Sequence, residues 1–269
     1  MHSPRVLLPA LVAAVISVAA CDTITSGASG NPVGVGNLSA RTKGTGFTTA
    51  PQLAFYRVTG ATFVTTTGIR DTCVVAAYTD TAGTVQAPVN APGVSAGPFV
   101  TIAIGGRIDT LRQIAGSTDV SYRSALSSGI PFTPGDSMIV TVAGNQDGFP
   151  VGVFRGKTAE AFVLNPVVVP ALGTPISATW TAASDDQSGM FLTFRFASGT
   201  GTTFNRQISC SFIDDGTGSV PSVLANDWIS ATTRDVIGQR IRTIYAQVPV
   251  PLSYFNLISS YHWPTPTSP

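Results

Sequence analysis

From Leu53 onward, apolar and polar residues alternate with a period of two, in short runs set apart by Gly, Pro, Asn and Asp. The pattern is clearest in the second half. Ile176, Ala178 and Trp180 fall on one face of a run, as do Met190, Leu192, Phe194 and Phe196 in the next. It predicts strands over 53–58, 61–67, 72–78, 98–104, 107–114, 119–125 and 137–143, and again over 176–180, 190–196, 204–212, 239–248 and 252–263. Asp214-Asp215-Gly216 reads as a tight turn, residues 221–227 as a helical turn, and the three prolines between Thr84 and Pro98 as a loop. No unit of 20–50 residues repeats, which argues against a solenoid or propeller. The runs are mostly shorter than the ~10 residues a membrane-spanning strand needs.

Prolines bracket Val167-Val168-Val169, so residues 163–170 read as a stiff connector between two halves or as a first edge strand of the second. With β-branched and aromatic residues plentiful and turns frequent, the chain is expected to be all-β, with two β-sandwich-like domains. These are an N-terminal β domain over 51–165 and a sandwich over 166–269. The small polar residues of 22–50, seven of them the glycines 27, 30, 34, 36, 44 and 46 and the proline 32, read as a flexible tether.

Ahead of the tether an apolar run from Val6 to Ala20 follows a lone cation, Arg5. At about 15 residues, broken by Pro9, it is short for a spanning helix and has the layout of a cleaved signal peptide over 1–20. Its end, Val18-Ala19-Ala20-Cys21, resembles the lipobox of bacterial lipoproteins. The resemblance implies cleavage before Cys21, a diacylglycerol on its thiol and a durable membrane tether. It places the chain outside the cytosol, anchored in the bacterial envelope, with the outer membrane the favoured site. Ordinary secretory cleavage beside an incidental cysteine is the alternative.

The second half has the length and strand number of an immunoglobulin-like or fibronectin type III-like sandwich. It also resembles the tail module of many uncharacterised bacterial lipoproteins, in which a Trp strand precedes a Cys strand that ends in Asp-Asp-Gly; here these are Trp180, Cys210 and 214–216. It departs from antibody domains because no cysteine precedes Trp180 within that half. Cys73 and Cys210 each share a face with apolar neighbours. Either they are buried thiols, or an oxidising compartment joins them in a disulfide across more than a hundred residues. Their place in different halves weighs toward the thiols.

Charge narrows the chemistry. Fifteen basic residues face 14 acidic ones, and charged residues make up 11% of the chain, less than half the usual ~25%. No electrostatic footprint for nucleic acid results. Glu160 is the only glutamate, Lys43 and Lys157 the only lysines, and His262 the only histidine after the leader. Gly93-Val94-Ser95-Ala96-Gly97 matches the spacing of a serine-hydrolase elbow, but prolines flank it and only His262 would be left as base. One histidine does not make a zinc site.

Two acidic pairs, Asp185-Asp186 and Asp214-Asp215, stand at expected strand ends. Were their loops to meet, Asp185, Asp186, Asp214 and Asp215 would offer a calcium ion several hard oxygens. Each pair is also what an ordinary Asx turn looks like. Paired carboxylates further raise a glycosidase-like hydrolase, which needs two of them flanking a cleft. Tyr254, Phe255, Tyr261 and Trp263 read as core, or as an aromatic face for a sugar or protein. The expected function is that of a non-catalytic, lipid-anchored envelope protein that binds a protein or glycan. A calcium-stabilised adhesion or carbohydrate-binding module is the alternative, and an envelope hydrolase a third.

Overall fold

The computed structural model describes residues 30–43, 46–58, 69–78, 91–114, 120–126, 128–199, 201–249 and 252–263. The leader, the Val18–Cys21 motif, the first part of the tether and the strand expected at 61–67 lie outside these residues.

The first half contributes Asn31–Lys43 (β1), Gly46–Thr49 (β2), Gln52–Val58 (β3), Thr72–Ala77 (β4), Phe99–Ile104 (β5) and Arg107–Gln113 (β6). Val120–Ser124 (β7), Ile130–Phe132 (β8), Ser137–Val142 (β9) and Gly152–Lys157 (β10) follow. The second half contributes Ile176–Thr179 (β11), Ser188–Phe196 (β12), Arg206–Ile213 (β13) and Thr217–Val220 (β14). The helix Ser222–Ser230 (α1) leads to the long strands Arg234–Pro249 (β15) and Leu252–His262 (β16). The all-β expectation holds, with one helix among the described residues.

Fourteen strands join one sheet, whose main path runs β10-β9-β5-β6-β7-β3-β1-β16-β15-β12-β13-β4. β11 and β14 form a separate pair. Among the described residues every strand pairing is antiparallel except β1 with β16. The β5–β6 hairpin turns on Gly105 and Gly106, both with positive φ, as a two-residue turn of the twist-matching kind requires.

The period of two sorts the residues of the long strands. One face of β15 carries Val236, Gly238, Arg240, Arg242, Ile244 and Ala246, and one face of β16 carries Phe255, Leu257, Ser259 and Tyr261. Two hydrophobic cores lie along this same face. One holds Ile244, Phe255 and Leu257 with Phe55, Tyr122, Ile102 and Val140; the other holds Val236 and Tyr261 with Trp180, Phe194, Phe212 and Trp228. The sheet curls around the first core until β10 reaches β15 and Phe154 stacks on Phe255, ring centroids 4.0 Å apart. Within the curl, the Tyr122 hydroxyl donates to the Gly97 carbonyl at 2.6 Å and accepts from the Ala96 N–H at 2.9 Å. These bonds satisfy a fully buried polar tip and pin the 93–98 loop. The second core is roofed by β11, β14 and α1, whose Trp228 meets Phe194 edge-on. Arg234 closes the helix by donating to the carbonyls of Ile229 and Ala231.

The tether expected over 21–50 is corrected for residues 31–43 and 46–49, which are strands, with β1 central in the sheet. Its glycines are there for space. A Cβ on Gly34 would lie 2.7 Å from Phe55 and 2.9 Å from Phe255; one on Gly36 would lie 2.6 Å from Leu257. The bulk belonging to that strip of core comes from the flanking strands, so β1 lacks the apolar alternation that marks a strand in sequence.

Strands from both sides of residue 165 share hydrogen bonds and cores: β1 pairs with β16, β4 with β13, and Ile244, Phe255 and Leu257 fill the core otherwise built from the first half. The 163–170 segment is packed rather than free, with Leu164 bridged to Trp180 and both Leu164 and Val167 buried in the second core. Cys73 and Cys210 stand directly opposite on β4 and β13 and form a disulfide across 137 residues, in place of the two thiols favoured from sequence. The expected separation of halves hid this, because β4 leaves its sequence neighbours to finish the other core.

Two outcomes follow. Gly34→Val is expected to lower unfolding stability by about 1–3 kcal/mol through overpacking, read as a shift in denaturation midpoint. Replacing Cys73 and Cys210 together by Ser is expected to lower it by about 2–5 kcal/mol, and adding reductant to the unaltered protein should reproduce that loss.

Candidate functional site

Between the two cores lies a band of charge. β15 places Arg240 and Arg242 on alternate positions of the core-facing side, where a strand of this kind ordinarily carries apolar residues. Arg240 is fully buried, at 0% exposure. Its Nε donates to Asp214 Oδ2 at 2.6 Å and an Nη to Asp214 Oδ1 at 2.8 Å, the two-pronged geometry that suits a guanidinium and a carboxylate. The remaining N–H groups reach the carbonyls of Ala161 (3.0 Å) and Thr181, and the guanidinium lies 5.3 Å from the ring centroid of Phe162. Asp214 Oδ1 also accepts from the Trp180 indole at 2.8 Å.

The Asp-Asp-Gly turn explains how Asp214 gets there. Gly216 takes a positive φ, which turns the chain sharply enough for β14 to start, and Asp215 accepts from the Thr217 N–H at 3.1 Å. Asp215 is thus the turn residue, while Asp214, one position back and on the inner side, faces Arg240. Removing one partner of such a buried pair leaves the other charge uncompensated, at a cost of about 3–5 kcal/mol.

Toward solvent the band continues through Arg242, which donates to Asp185 Oδ2 at 2.6 Å, with Lys157 Nζ 4.0 Å from the same oxygen. Ser188 lies directly across from Arg242 on β12. Glu160 accepts from the Ser184 hydroxyl and from its N–H (3.0 Å), and the Ser259 hydroxyl accepts from the Ala159 N–H at 2.9 Å. The hydrogen bond from Arg242 holds the Asp185 carboxyl below its usual range, against partial burial and with help from the Gln187 N–H. Burial opposes ionisation of Glu160, but the hydrogen bonds from Ser184 and the charge of Arg240 together keep its pKa below the ordinary value. The band is a clamp. It fixes β15, β13 and the 181–187 turn to one another.

The four aspartates considered as calcium ligands, should their loops meet, each have a separate partner. Asp214 is inside the clamp, Asp215 serves its own turn, Asp185 pairs with Arg242, and Asp186 accepts from the Gln187 side chain. Among the described residues no three His, Cys, Asp or Glu groups gather as a metal would need. Ser95 of the Gly-x-Ser-x-Gly segment accepts from the Gly97 N–H, and a strand, not a helix, follows it. His262 stands at the end of β16, on the face opposite Tyr261, within 3.4 Å of the Gln239 amide; desolvation lowers its pKa. Tyr254, Phe255 and Tyr261 are buried. Cys21 lies outside the described residues.

Arg240 and Arg242 were not singled out by sequence reasoning, although the signal is present. In Val236–Ile244 the alternation places two arginines on the apolar face, a pattern that demands buried counter-charges. No family model matches the chain, and no curated protein or solved structure is similar to it.

Asp214→Ala is expected to cost about 3–5 kcal/mol in chemical denaturation, whereas Asp185→Ala, whose carboxylate is partly open to solvent beside the buried Arg242, is expected to cost less, about 1.5–3 kcal/mol. The lowered pKa values of Asp185 and Glu160 mean that their contribution is present above the ordinary values of 3.8 and 4.5 and is lost as pH falls through the folded-state values. Melting temperature should therefore drop below about pH 4, less steeply in Asp185→Asn.

Proposed function

We propose that the protein is a non-catalytic, lipid-anchored binding or structural component of the bacterial envelope, exported by its leader and held at the membrane through Cys21. The observation that carries this reading is the Cys73–Cys210 disulfide, because such bonds form and persist in oxidising compartments and are rare in the cytosol. It is independent of the leader and agrees with it. The engagement of Asp214, Asp185 and Glu160 in the clamp supports a structural use for the groups that would otherwise suggest hydrolysis. A folded sheet with a stiff, doubly cored frame suits display of a surface to an envelope protein or glycan.

Mass spectrometry of membrane-derived protein, expressed with its leader in a bacterium with an outer membrane, tests the anchor. The N-terminal peptide is expected to begin at Cys21 and to carry a diacylglyceryl group. Cys21→Ser should release the protein from the membrane fraction. An intact leader on an unmodified thiol would overturn the reading.

A further inference from the structure

The curled part of the sheet has an outer side that neither core uses. Inward positions of β5, β6, β7 and β9 are filled by residues such as Val100, Leu111, Tyr122 and Val140, all fully buried. The alternate positions face away. Across them, Phe99 of β5 stands opposite Arg112 of β6, and Arg112 stands opposite Arg123 of β7. Both arginines are exposed, neither takes part in an ion pair among the described residues, and Phe99 beside them is 43% exposed. Like charges set directly across a strand pair destabilise a sheet, so the fold alone gives no reason for this arrangement.

The surroundings define what would relieve it. One row along, Thr141, Thr101 and Thr110 stand side by side on β9, β5 and β6. Neighbouring strands lie about 4.8 Å apart, which makes these side chains a ladder of hydroxyls on the scale of a sugar ring. No outward position of β3, β5, β6, β7, β9 or β10 is acidic, and at the far edge β10 adds Arg155 and Lys157, the latter lying beside Asp185. A guanidinium pair takes a planar carboxylate through parallel N–H bonds. Threonine hydroxyls exchange hydrogen bonds with sugar hydroxyls, and an exposed phenyl ring covers the apolar face of a ring. A nucleic acid would call for a longer run of phosphate-neutralising cations than this face offers.

We propose that this face binds an acidic polysaccharide, with a carboxylate held between Arg112 and Arg123 and the sugar chain running over Phe99 and the threonine row. This names the ligand class for the binding role given above and rests on that reading only for its biological setting. The site itself is independent of the anchor.

The test is affinity electrophoresis of the full, detergent-solubilised chain through gels containing polygalacturonate, with dextran as the neutral control. Polygalacturonate should retard the protein and dextran should not. Arg112→Gln or Arg123→Gln should each weaken binding about tenfold, and the double variant should migrate as in a blank gel. The double variant should melt at or above the temperature of the unaltered protein, since the repulsion is gone; this separates loss of binding from loss of fold. Equal retardation of the double variant, or equal retardation by dextran, overturns the proposal. So does binding to phosphatidylglycerol vesicles without binding to polygalacturonate, which would make the face a membrane surface. A bare Cys21 would leave these results untouched, so the two readings fail separately.

Discussion

Eleven residues of β16 stay in register with β15, from Leu252 against Pro249 to His262 against Gln239, and both cores are built on that one ribbon. A slip of a single residue would turn Phe255, Leu257 and Tyr261 to the side away from their present partners Ala246, Ile244 and Arg240. Neither core would survive it. Because the strands are long enough to serve both, the register set in one core is imposed on the other. Everything else attaches to this ribbon: β1 along one edge of β16, β12 along the far edge of β15, and the curl that brings β10 back against β15.

The charged band between the cores makes sense in that light. A continuous apolar strip along β15 would pack nearly as well after a shift of two residues, since apolar side chains of similar size replace one another at modest cost. Arg240 has no such freedom. Displaced by two, it would lose both oxygens of Asp214 and bury an unpaired charge, which is far more costly than misfitting a methyl group. The pair therefore marks one position along the ribbon.

How much of this could be read from the chain varies by region. Strands with a clean period of two, such as β12 and β5, were legible to within a residue or two, because each has one buried and one open side. β1 was not, since two of its inward positions are Gly34 and Gly36, whose space is filled by Phe55 and Phe255 on its neighbours, leaving Leu38 as the one large apolar side chain on that side. β10 was missed for a related reason: Gly152 and Gly156 dilute the pattern, and Phe154 alone carries its buried side. Both aspartate pairs were visible as turns, but only the partner arginines on β15 decide what each carboxylate does. Pairings between strands distant in sequence, β4 with β13 and β1 with β16, leave no trace in local alternation. The disulfide followed from just such a pairing.

The parallel seam between β1 and β16 has a bearing on the order in which the chain can assemble. Val33 finds its neighbour Tyr254 more than two hundred residues further along the chain. An early-emerging segment therefore cannot settle until a very late one has been made, and long-range pairing of this kind is slow. A newly synthesised chain therefore stays unlocked at this seam through most of its synthesis. The seam closes only once β16, the last strand described, is available to pair with β1.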